Sequence, residues 1–204
     1  MAVATLTEEK RAMDAQFIAQ VLQSTDKARV AANILTQTLE CCAQDMALDG
    51  PDVVTQYLRQ GERSACARFW QSLTKHVAQA LGALDEGIKA IYVPDNDTLV
   101  DDGSSHKGSP SIPSISLLVW RQHKTFAFGS LVAGLDRALV QTYRETFGAQ
   151  ALQTLLNVQV IDDRSFEKHF GSVRDKRAFV RPVAYWLTQN EMVDMVYARG
   201  MMLP

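Results

Sequence analysis

Apolar and polar positions divide the chain near residue 87. From roughly Thr7 to Ala47, Met13, Phe17, Ile18, Val21 and Leu22 recur at helical spacing, and Val30, Ile34, Leu35, Cys42 and Met46 continue the pattern. One apolar stripe on a polar surface predicts amphipathic helix. Thr5 and Glu8 have capping-box spacing, and Ser24-Thr25-Asp26 either caps a second helix or lies inside one long helix. Asp49-Gly50-Pro51 ends the run, with Gly50 suited to a left-handed C-cap and Pro51 to the first position of the next helix. A second stripe follows: Cys66, Phe69, Trp70, Leu73, Val77, Leu81 and Leu84, with Gly61 as a possible interruption. Two such helices joined by a short turn predict an antiparallel hairpin.

Beyond Gly87 the period shortens. Ile88–Val93 reads as a strand closed by Pro94, Ile115–Trp120 as a buried strand, Val158–Ile161 as a third and Pro182–Leu187 as a fourth. Residues 94–113 form a polar loop of about 20 residues, rich in Asp, Ser, Gly and Pro. Helix returns from about Thr125 to Phe147, with Leu131, Leu135, Leu139 and Tyr143 in register and Gly148 at its end. Ala151–Leu156 reads as a short turn of helix, and Thr188 and Glu191 have the spacing to cap a last one. A strand, helix and strand in succession imply a parallel crossover; the first two strands can pair in either sense. The expected fold is α+β or α/β: a long N-terminal helical hairpin, then a small mixed, partly parallel sheet of about four strands with flanking helices. The expected division is 1–86 helical and 87–204 α/β, as one structural unit.

Composition narrows the setting. Hydrophobic residues make up 47% of the 204 and charged residues 22%, a globular balance. The net charge of −2 gives no general pull toward nucleic acid or an anionic membrane. Three cysteines, two of them adjacent and all in helical sequence, do not make a secreted disulfide framework. With neither a signal-like N-terminus nor a long apolar run, the expected location is the cytoplasm, with no membrane association.

Candidate chemistry is thin. Gly103 and Gly108 have the separation of a phosphate-binding loop, but Lys107 precedes the second glycine and Pro110 and Pro113 oppose a helix there. Asp95, Asp97, Asp101 and Asp102 cluster without calcium-loop spacing and read as turn formers. Cys41, Cys42, Cys66 and His76 offer zinc-binding atoms, but adjacent helical residues point about 100° apart, so buried thiols are the expectation. Arg174, Lys176, Arg177 and Arg181 surround Phe179 in the densest basic run and could bind a phosphate or an acidic partner.

Asp95 follows one strand, and Gln122 and Lys124 close the next. Over residues 88–161 this order resembles the restriction-endonuclease-like nucleases. The resemblance implies that Asp95, Gln122 and Lys124 hold Mg²⁺ and activate water for phosphodiester cleavage. Gln122 stands where that family has a carboxylate, which weakens metal binding. The leading expectation is a non-catalytic interaction or accessory protein, with no cofactor, that forms a homodimer and meets a further protein partner. Metal-dependent phosphodiesterase chemistry and a small-molecule sensor are the alternatives. The dimer rests on length: helices of about 35 to 40 residues would reach about 50 to 60 Å, beyond the roughly 30 to 35 Å of a compact domain. The stripes Phe17–Val21–Ile34 and Phe69–Leu73–Val77 would then project and need cover.

Overall fold

The computed structural model describes residues 16–17, 21, 26–93, 114–123, 125–149 and 152–162, and the backbone of 183–187. The chain is mixed helix and strand and falls into two compact units. Residues 1–84 and 133–154 make the helical unit; 85–132 and 155–204 make the sheet unit.

In the helical unit, Gln16, Phe17 and Val21 are helical, and a new helix, α1, runs Lys27–Asp45. Asp26 settles the question of one helix or two. Its backbone is extended, and its carboxylate accepts the Ala28 N–H at 3.0 Å, so it caps the start of α1. The end of α1 corrects the expectation for Gly50. Ala47 takes the left-handed conformation, at φ 51°, and the Leu48 N–H returns to the Ala43 carbonyl at 2.9 Å. Gly50, at φ 128°, instead stands at the N-cap of α2, Pro51–Arg59, with Pro51 in its first turn.

Gly61 interrupts the second stripe. It sits at φ 71°, and the Glu62 N–H bonds the Tyr57 carbonyl at 3.0 Å. Glu62 then starts α3, Arg63–Leu84, accepting from the Ser64 N–H at 3.2 Å, the Ser64 hydroxyl at 2.8 Å and the Ala65 N–H. The 19 residues of α1 and 22 of α3 correspond to about 28 and 33 Å. These lengths fit a compact domain, so the overhang expected of the hairpin is removed by the breaks at Asp26 and Gly61.

The apolar stripes are covered within the chain. Phe17, Val21, Ile34, Phe69, Leu73 and Val77 are all buried. From His76 to Gly82 every residue of α3 is buried, so its second half is enclosed on all faces rather than along one stripe. Helix α4, Phe126–Phe147, places its later residues in this unit. Tyr143 stacks on Trp70 at 5.9 Å between ring centres, and Phe147 meets Phe69 edge to face at 5.5 Å. Lys27 extends its methylene chain across Gly134, in space that a side chain at that position would fill. Gly148, at φ 73°, ends α4, and Arg59 donates to the Thr146 carbonyl at 2.8 Å.

The sheet unit holds β1 (Ile88–Val93), β2 (Ile115–Arg121), β3 (Leu156–Ile161) and the backbone of β4 (Val183–Leu187), in the order β3-β2-β1-β4. β1 and β2 are antiparallel, with Ile91 opposite Val119. β2 and β3 are parallel across the α4 crossover, with Ile115 opposite Leu156, and β4 is antiparallel to β1. Consecutive burial at Ala90, Ile91 and Tyr92, and at Leu117, Leu118 and Val119, shows that both faces of the central strands are covered. On β3, Asn157 and Gln159 are exposed. The expected helical turn at Ala151–Leu156 is corrected in part: Leu152–Leu155 are not helical, and β3 already begins at Leu156. Leu155 is held outside the strand, its carbonyl accepting the Ile115 N–H at 2.7 Å.

Candidate functional site

The antiparallel register of β1 and β2 decides which ends of the strands meet. The Gln122 N–H donates to the Gly87 carbonyl at 3.1 Å, so the end of β2 lies beside the start of β1. Val93, at the far end of β1, is six residues from Gly87, about 20 Å at ~3.3 Å per residue. The end of β1, from which Asp95 follows, and the end of β2, from which Lys124 follows, therefore lie at opposite ends of the ladder. Asp95 and Lys124 themselves lie outside the described residues, as do Arg174, Lys176, Arg177 and Arg181. Gln122 is exposed.

Among the described residues, the fold brings the carboxylate of Asp85, 36 residues before Arg121, to the end of β2. Arg121 ends β2 with its side chain nearly enclosed. One terminal nitrogen lies 2.9 Å from each carboxylate oxygen of Asp85. The other donates to the His123 carbonyl at 2.6 Å and the Thr125 hydroxyl at 3.0 Å. The guanidinium carbon stands 4.8 Å from the centre of the Phe128 ring. Thr125 accepts the Phe128 N–H at 3.3 Å, so the cation braces the residue that caps α4. Gly87 makes room for this pair: a Cβ there would stand 2.8 Å from an Arg121 nitrogen. The Arg121 Nε has no hydrogen-bond partner, which marks a tight polar knot with one donor unspent. The Asp85 carboxylate is engaged by Arg121 through both of its oxygens.

A second cluster lies in the helical unit. His76 is fully buried, with Nδ1 3.1 Å from the Thr38 hydroxyl and Nε2 3.8 Å from Cys41 Sγ. The Ser72 hydroxyl also lies 3.4 Å from Nδ1. Thr38 has one hydroxyl proton and donates it to the Ile34 carbonyl at 2.7 Å, so toward His76 it accepts. Phe17 closes the site with an edge-on ring contact at 5.3 Å. Beside it, Cys42 is hydrogen-bonded by Ser72, and its thiol pKa is pushed up to about 11, by burial first and by the neighbouring Cys41 second. A nucleophile beside an imidazole is the arrangement of a cysteine catalyst, but such a catalyst needs a depressed thiol pKa and access to substrate. Cys41 and His76 are 5% and 0% exposed, so the pair ties α1 to α3 instead. Sequence reasoning grouped Cys41 and His76 only as zinc-binding atoms; their contact, between residues 35 positions apart with no motif joining them, follows from the packing of the helices. Each stands one position off the apolar stripe of its helix, next to Cys42 and Val77, so the stripes alone do not mark the pair.

Phe126, the first residue of α4, is 92% exposed. Ala127, Gly129, Ser130 and Ala133 are exposed beside it, so the start of the helix presents a large apolar ring among small side chains. Among the described residues no group of three or more His, Cys, Asp or Glu side chains is placed to hold a metal ion, and no helix is long and apolar enough to cross a membrane. No protein-family model, curated protein or solved structure matches the chain.

Proposed function

We propose that the chain is a non-catalytic, cytoplasmic interaction protein that pairs with a second copy of itself through the start of α4. The exposure of Phe126 carries this reading. A phenylalanine ring left in water forgoes about 2 kcal/mol that burial would recover, and the small residues beside it let another backbone approach closely. The N-terminal stripes, where sequence placed self-association, are already filled by the chain's own core. The buried state of the Cys41–His76 pair and the matching of Asp85 by Arg121 favour interaction over catalysis. Cys41, Cys42 and Cys66 are thiols rather than disulfides, which supports a reducing compartment.

Sedimentation equilibrium of the native protein and of Phe126→Ser tests the proposal. The native protein is expected at twice the 22.7 kDa of one chain, and the variant at 22.7 kDa. A native mass of 22.7 kDa, or a variant that still doubles, overturns it.

A further inference from the structure

We draw no further inference here: the strongest candidate, the Cys41–His76–Thr38 cluster buried between α1 and α3, sets a thiol beside an imidazole but is closed to solvent, and nothing among the described residues gives a ligand a way to it.

Discussion

Arg121 shows how one side chain can organise its surroundings. Its side chain is 8% exposed and that of Asp85 15%, so each charge depends on the other for much of the solvation it has lost. Removing one partner should cost more than removing both. Asp85→Ala is expected to lower stability by about 3 kcal/mol, whereas Arg121→Met combined with Asp85→Leu should cost less than half of that. Urea unfolding of the two variants checks this, and equal losses would mean that the ion pair is not what the site rests on. Glu62 is the contrasting case, a fully exposed carboxylate whose value lies in its donors. The Ala65 N–H, the Ser64 hydroxyl and the Ser64 N–H hold its pKa below the ordinary 4.5. A depressed carboxylate stabilises the fold above its unfolded pKa, and that contribution fades as pH falls through the folded value. Native stability should therefore decline more steeply with acid below about pH 4.5 than that of Glu62→Gln, measured as urea midpoints over that range. Parallel declines would show that the cap adds nothing through its charge.

The elements are bounded by caps, and the caps explain what was readable in advance. Ala47 occupies a left-handed position that costs a residue with a Cβ roughly 1 kcal/mol, and its exposed methyl offers little burial in return. Ala47→Gly should raise stability by about 0.5 to 1 kcal/mol, less the extra freedom glycine gains when unfolded. A thermal midpoint that fails to rise would show that the turn carries no such strain. Sequence assigned this role to Gly50 on composition alone. It could not register that the turn closes three residues earlier, because the Ala43–Leu48 hydrogen bond has no residue signature. The strands Ile88–Val93 and Ile115–Arg121 and helix α4 were legible, since apolar runs and the terminal Gly148 mark them directly. Strand sense was not. Nothing in either segment specifies antiparallel pairing, and the nuclease-like reading of Asp95, Gln122 and Lys124 depended on which ends meet. The second half of α3 was hidden for another reason: His76 and Gln79 look like a polar face, yet the core encloses them.

For the molecule as a whole, the two adjacent thiols of α1 report on opening of the helical core. Cys41 and Cys42 are buried whereas Cys66 is partly exposed, so a thiol reagent should modify Cys66 first and the other two only through unfolding. The raised pKa of Cys42 adds a pH signature. The folded state keeps the proton that the unfolded chain loses near 9.0, so its contribution to stability is complete below 9.0 and disappears as pH rises toward about 11. Native stability should fall across that window, and Cys42→Ala should fall less; identical urea profiles would place the thiol in water. The crossover between β2 and β3 has a consequence during biosynthesis. β3 begins 35 residues after Arg121, so at ~5 to 20 residues per second a ribosome takes about 2 to 7 s to deliver the partner strand. Through that interval one edge of Leu117, Leu118 and Val119 has no neighbour. Slow translation of residues 122–155 prolongs the time in which another nascent chain can claim that edge.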